Sequence, residues 1–394
     1  MRTIDSNKMA RLGELLAESV AAGQIAGGNL CVVHRGEEIY YAESGYADIA
    51  NQKKIARDSI FRLYSMTKPV TSAAVMLLME RGIIDLLDPI SKYIPTFGDI
   101  KVALPEGDVP ARRQVTVKDC LSMTSGLPYH CDPDPASRDS ALVYEELDKR
   151  LYTDNPMTTM EAASMLGQGR LAFHPGEGWR YGTSADILGA VVEAASGVRF
   201  GEFLKKEFFA PLNMADTGFG LDAGKRERLA KVYEASADGL AEYHGNHLGI
   251  CNHMDADVQF ESGGAGLVST IEDYKHFAQM LMNKGTYQGR SYLSPATVAY
   301  MTGCRLYPHQ QEMMLGWDNL AGFSYSNLMR VLADPSLAVM NGSRGEYGWD
   351  GWLGPYFANM PDDDITFLLM LQLRDSGTFT LTRKLRNVLA SAIR

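Results

Sequence analysis

The chain has 394 residues, 45% apolar and 22% charged, which is room for two domains or for one domain with two lobes. Its net charge of −10, with a pI near 5.4, argues against nucleic acid or an anionic membrane as partner, since both select basic patches. No stretch approaches the ~18 apolar residues of a membrane span, and the five cysteines, Cys31, Cys120, Cys131, Cys251 and Cys304, are odd in number and contain no C-x-x-C, as expected of free thiols in a reducing compartment.

The elements follow in chain order. Residues 1–23 form an amphipathic helix with Met9, Leu12, Leu15, Leu16 and Val20 on one side; Asp5, Glu14 and Glu18 interrupt any secretory h-region, so a cytoplasmic protein is expected. Residues 28–48 alternate and turn at Arg35-Gly36, an antiparallel hairpin. A helix covers 70–83 and stops at Gly82. A long helical middle follows: Thr116 to Leu121 with a turn at Thr124-Ser125-Gly126, Ser184 to Ala195 ending at Gly197, and Phe200 to Phe209. Ser269-Thr270-Ile271-Glu272 is a capping box that opens a helix to about Met282, and Ser294-Pro295 opens another. From about 313 the pattern returns to strands, with a turn at Pro361–Asp364, before a closing helix from Thr378 to Ile393. Asp132-Pro133-Asp134-Pro135, continuing to about 155, reads as an excursion near a cleft, a candidate lid.

Strands at both ends around a helical middle predict an α/β (α+β) protein. One antiparallel sheet is built from 1–69 and 305–394, flanked by helices, and an all-helical lobe from 70–304. The site is expected in the cleft between them.

Ser65-Met66-Thr67-Lys68, followed by Pro69, puts a hydroxyl and an amine one turn apart at the start of a helix. Free N–H groups there can hold an oxyanion, and the positive helix end favours an alkoxide and disfavours an ammonium. A serine beside an easily neutralised lysine is an activated nucleophile. The tetrapeptide alone occurs about once by chance in a chain of this length, so its weight comes from context. That context is FRLYSMTKPVTSAAVMLLMERGIIDLLDPISKYIP, VTVKDCLSMTSGLPY, FHPGEGWRYGTSADILGAVVE, GGAGLVSTIEDYKHFAQMLM and YGWDGWLGPYFANMPDDD, in this order. With these stretches the chain resembles the serine β-lactamase/penicillin-binding-protein superfamily, in its class C-like branch with the family VIII carboxylesterases, from about residue 10 to the C-terminus.

The resemblance implies a β-lactamase-like fold and an acyl-enzyme on Ser65, with no cofactor. It places Tyr181 of PGEGWRYGTS beside Ser65 and Lys68. A nearby ammonium could lower the phenol's pKa from its usual value near 10, making Tyr181 the base; Lys68 itself is the alternative. Where class C enzymes have Tyr-x-Asn, this chain has Tyr181-Gly182-Thr183, which removes an amide contact and weakens a β-lactam reading. In place of the superfamily's Lys-Thr-Gly stands Trp349-Asp350-Gly351, and the amide of Trp352 would join that of Ser65 as oxyanion hole. Trp352-Leu353-Gly354 offers a second register, but its glycine belongs to the family-like GPYF.

Trp349 supplies no cation for the carboxylate of β-lactams or D-Ala-D-Ala peptides, and Asp350, if it faces the cleft, repels one; a neutral ester or amide, or a substrate with a nearby amine, is favoured. Trp349, Trp352, Tyr129 and Phe357 would supply apolar walls. The stretch holding His244, His247, Cys251 and His253 fits no common zinc spacing, so no metal is expected. There is no G-x-S-x-G, and Gly263-Gly264-Ala265-Gly266 lacks the context of a phosphate loop and serves close backbone packing.

Two functions follow. The first is a serine hydrolase of small esters, with β-lactam hydrolysis, D-amino-acid peptide or amide cleavage, and acyl transfer as alternatives on the same site. The second is a non-catalytic, ligand-binding or self-assembling relative. A homo-oligomer is compatible with either.

Overall fold

The computed structural model describes residues 3–303, 306–314 and 316–394, so Cys304 lies outside the described residues. Its centre is an eight-stranded, wholly antiparallel sheet. In chain order the strands are β1 (Gly27–His34), β2 (Glu37–Asp48), β3 (Lys53–Lys54), β4 (Phe323–Ser326), β5 (Met329–Leu332), β6 (Tyr347–Asp350), β7 (Tyr356–Met360) and β8 (Ile365–Leu371). In space they run β4-β5-β6-β7-β8-β1-β2-β3. The two chain ends meet where β1 pairs β8, from Gly28 opposite Leu371 to His34 opposite Ile365. The β1–β2 turn is tight because Arg35 and Gly36 both take positive φ, 54° and 79°, the geometry that matches strand twist.

Helices α1 (Ser6–Ala21) and α7 (Thr380–Ala392) pack on each other. Helix α6 (Ile271–Met282) packs against β1, β7 and β8. Its N-cap is Thr270, one residue later than the sequence box suggested, with the Thr270 hydroxyl accepting from Asp273 N–H at 3.1 Å. The middle contributes α2 (Lys68–Glu80), α3 (Pro135–Arg150), α4 (Thr159–Leu166) and α5 (Ser184–Ser196). The excursion of the sequence reading is thus mostly helix α3, started by Asp134 as N-cap.

Helix α2 is buried from Lys68 to Leu78, as expected of a helix apolar all round. It lies between α5 and the end of β6, so the sheet and the helical middle are both built onto it. Phe200–Phe209 begins as α-helix and finishes as a π-turn from Lys205. No helix among the described residues is long and apolar enough to cross a membrane.

The closing helix is fixed by a pair with almost no solvent contact. Arg386 of α7 donates to the Glu346 carboxylate, and both side chains are 1% exposed. Removing one partner leaves an uncompensated buried charge, at a cost of about 3–5 kcal/mol. Arg386→Ala is therefore expected to lower stability by that amount in denaturant unfolding, and Glu346→Ala by a similar one.

Candidate active site

Leu63 N–H donates to Leu267 O at 2.9 Å, continuing a two-residue pairing of Phe61–Arg62 with Val268–Ser269. Tyr64 then takes φ +44°, a conformation that L-residues adopt at a cost. This bend starts a 3-10 turn, Tyr64–Thr67, that runs straight into α2. Ser65 and Lys68 consequently share one face, with Nζ 3.2 Å from Ser65 Oγ. Lys68 is fully buried. Its Nζ also donates to Gly264 O at 2.9 Å and to the Tyr129 hydroxyl at 3.1 Å. No carboxylate reaches it as an ion pair among the described residues. Burial pulls its pKa down to about 7, against the weaker pull of Asp186 and Asp350, so a large fraction is neutral amine at physiological pH.

Tyr181 stands beside this pair. Its ring centroid is 4.5 Å from Lys68 Nζ, its hydroxyl accepts from Trp349 Nε1 at 3.0 Å, and it hydrogen-bonds Ser65. The expected lowering of the phenol's pKa is not found. Burial raises it, and the bonds from Ser65 and Trp349 offset only part of that. In one desolvated site both ions are disfavoured, and the amine is the group brought into the neutral range.

Tyr129 is more than an apolar wall, because its hydroxyl is a direct partner of Lys68. Glycine at 182 makes this approach available: a Cβ there would lie 2.0 Å from Leu127 O. Thr183, at the place of the family's asparagine, is buried and its N–H donates to Leu127 O at 3.2 Å. Phe357 also differs from expectation: it is fully buried, packed edge-on against Tyr274.

In the Trp-Asp-Gly segment, neighbouring side chains point to opposite faces of β6. Trp349 reaches Tyr181. Asp350 turns away, accepting from Thr378 Oγ1 at 2.5 Å and lying 3.6 Å from buried Arg330 Nη1. Its carboxylate thus sits between Thr378 and Arg330, with its side chain 19% exposed. Gly351 presses on the nucleophile turn, since a Cβ there would sit 2.2 Å from Leu63 O. Trp352 follows, its ring 4.9 Å from Tyr64 and stacked at 4.0 Å on His247. Neither the Ser65 nor the Trp352 amide N–H has an acceptor among the described residues. Gly354 of the second register sits instead in a turn with φ +91°.

The histidine-rich stretch does not gather. No group of three or more His, Cys, Asp or Glu among the described residues is placed to hold a metal. His244 and His253 are exposed, while His247 is drawn into the wall beside Trp352, where burial lowers its pKa to about 4. The 132–155 excursion is tied to the site by Arg180, the neighbour of Tyr181, which donates to Asp132 at 2.6 Å and to Asp134 at 2.5 Å. Three contributors were not read from the sequence. They are the Gly264 carbonyl, Asp186, whose carboxylate holds Gly264 N–H at 3.0 Å, and Trp317, 43% exposed with its ring 5.1 Å from Tyr181. Only the Gly263–Gly266 run carried a hint, as a segment fit for close packing.

Comparison with known proteins agrees with this geometry. The Beta-lactamase family profile matches residues 12–391. Protein Rv1367c of Mycobacterium tuberculosis is 30% identical over 375 residues, covering 91% of this chain and 88% of that protein. Esterase EstB of Burkholderia gladioli is 28% identical, covering 88% and 85%. Among solved structures, EstCE1, described as a hydrolase with promiscuous acyltransferase activity, superposes with a TM-score of 0.80 at 24% identity, covering 98% of this chain and 99% of its own; at that identity the likeness speaks for the fold. The chain belongs to the beta-lactamase family and is an enzyme of the serine-hydrolase type.

The contact at Gly351 is testable. Gly351→Ala forces the end of β6 away from the nucleophile turn, and misplacement by about 1 Å costs roughly a hundredfold in rate. The variant is expected to stay folded by circular dichroism while kcat for p-nitrophenyl acetate falls by that order.

Proposed function

We propose that this beta-lactamase-family enzyme hydrolyses small neutral carboxylic esters through an acyl-enzyme on Ser65. The observation that carries the reading is Ser65 Oγ at 3.2 Å from a fully buried Lys68 amine whose pKa is brought to about 7. Lys68 takes the Ser65 proton as Oγ attacks the ester carbonyl. The Ser65 and Trp352 amides receive the developing oxyanion. The Lys68 ammonium then returns the proton to the departing alkoxide, with the neutral Tyr181 phenol as the hydrogen-bonding conduit. Water attacks the acyl-enzyme with the same groups in reverse.

The ester preference rests on charge. Trp349 brings an indole to the place where the family's lysine would meet a substrate carboxylate, and the nearby cation Arg330 is buried, 3.6 Å from the Asp350 carboxylate. Esterase EstB is named for the same substrate class. The proposal keeps the two lobes, 1–69 with 305–394 and 70–304, as the walls of the cleft, with α6 of the second segment packed on the sheet of the first. A cytoplasmic setting belongs to it as well, supported by four described cysteines that are all free.

Four outcomes test the reading. Intact mass after brief exposure to a fluorophosphonate should show one adduct on wild type and none on Ser65→Ala; equal labelling of both removes Ser65 as nucleophile. kcat/KM for p-nitrophenyl acetate should rise with pH through about 7 as Lys68 loses its proton, the direction required of a base that must be neutral. Rapid loss of penicillin on incubation with the enzyme would overturn the charge argument. Trp317→Ala, which strips an exposed ring from beside Tyr181, should raise KM for aryl esters several-fold and leave kcat within about twofold, as expected for lost uniform binding.

A further inference from the structure

We infer that Asp186 is a positioning residue for proton transfer between Ser65 and Lys68: its carboxylate fastens the Gly264 carbonyl onto the amine and supplies the buried negative charge facing the ammonium that forms. The inference rests on the assignment of Lys68 as proton acceptor.

Asp186 lies in the first turn of α5 and is 4% exposed. Its Oδ1 accepts from Ser262 Oγ at 2.5 Å and from Gly264 N–H at 3.0 Å. Gly264 in turn offers its carbonyl to Lys68 Nζ at 2.9 Å. One residue thus links carboxylate to amine, and a side chain on it would crowd both partners: a Cβ would stand 3.0 Å from Asp186 Oδ2 and from the Tyr129 hydroxyl. Since Tyr129 is itself 3.1 Å from Nζ, the carboxylate, the phenol and the amine converge on a single α-carbon.

Of the other groups facing Lys68, Asp350 pulls in the same direction but less than Asp186, and the rest carry no negative charge. Tyr129 and Tyr181 are phenols kept neutral by burial. Asp350 is engaged with Thr378 and Arg330. Ser65 is the proton donor. Asp186, for its part, faces Lys68, Tyr129, Tyr144 and Tyr181. Burial raises its own pKa, while Ser262, Lys68 and the Gly264 amide oppose that rise.

In the reaction the proton passes from Ser65 Oγ to Lys68 Nζ while Oγ bonds to the carbonyl carbon. It later leaves with the alkoxide, and Asp186 takes no proton at any step. A charge of opposite sign at short range favours the protonated amine by about 1–3 pKa units. Asp186 thereby keeps Lys68 basic enough to accept a proton, while burial keeps it neutral enough to start. A structural carboxylate near a helix N-terminus would satisfy the helix dipole equally well, so the test must read the amine.

The experiment is the pH profile of kcat/KM for p-nitrophenyl acetate in wild type, Asp186→Asn and Ser262→Ala, each with a thermal melt. Asp186→Asn should move the acidic limb down by about one unit and reduce the plateau about tenfold, as a weaker base is slower. Ser262→Ala, which keeps the carboxylate and removes one hydrogen bond to it, should move the limb by clearly less than Asp186→Asn does. An unmoved limb in Asp186→Asn, with only the plateau or melting temperature lowered, overturns the inference. So does an equal displacement in Ser262→Ala, which would assign the effect to the loop. Asp186→Ser serves the same test if the asparagine variant does not fold. A wild-type profile with no limb between pH 6 and 8 instead removes Lys68 as acceptor, and so separates the failure of that assignment from the failure of this one.

Discussion

An amine buried at the first residue of α2, with no ion-paired carboxylate among the described residues, constrains everything packed around it. Charging Lys68 inside the protein is costly, so the site supplies a carbonyl, a phenol and a serine hydroxyl rather than an ion pair. Each comes from a different part of the chain. Gly264 arrives from the loop before α6, Tyr129 from the segment before α3, and Ser65 from the turn that opens α2. The amine is thus both the chemical centre of the site and the point where sheet and helical middle are joined. That α2 is buried from Lys68 to Leu78 fits the same requirement, since a solvated face would let water reach Nζ and restore the ordinary lysine pKa.

Close backbone approach is the second requirement, and it explains most of the glycines near the site. Gly182 lets the segment 127–129 lie against the chain at Tyr181. Gly351 lets the end of β6 lie against Leu63, two residues before Ser65, and the proposed mechanism uses the Trp352 amide that follows it. Gly264 lets Asp186 and Tyr129 meet beside the lysine. In each case the side chain that acts is one or two residues away, and the glycine sets how near it comes. The motif Trp-Asp-Gly divides its labour accordingly: the indole holds Tyr181, the carboxylate steadies the strand through Arg330, and the glycine fixes the distance.

The local patterns were legible in the sequence wherever a single element carried the signal. The hairpin at Arg35-Gly36, the helix behind Ser65 and the meeting of the two chain ends in one sheet all follow from periodicity and turn chemistry. Ser65, Lys68, Tyr181 and Trp349 were marked by short motifs. What could not be read were relations between distant segments. The sequence does not say that Tyr129 hydroxyl reaches Nζ, because that depends on Gly182, more than fifty residues later. It does not say that Asp350 looks toward Arg330 rather than the cleft, because that depends on strand register. The His244–His253 stretch looked like a cluster only in one dimension; in space the loop sends His247 inward and leaves His244 and His253 in solvent.

The indole at position 349 and the identity of the base are connected. A lysine at that place, as in much of the superfamily, would add a second cation beside Tyr181, lowering the phenol and making the Lys68 ammonium harder to keep. With Trp349 there, the phenol receives only a neutral N–H, and burial raises its pKa without an opposing cation close enough to compensate. The same burial lowers Lys68, so the order of proton affinity in this site favours the amine as acceptor. One substitution therefore acts twice. It withdraws the charge that would have anchored a substrate carboxylate, and in the proposed mechanism it shifts the proton-accepting role from phenol to amine. A site altered in this way is suited to neutral acyl groups, whose binding needs no cation and whose transition state needs only a nearby base and two amide N–H groups.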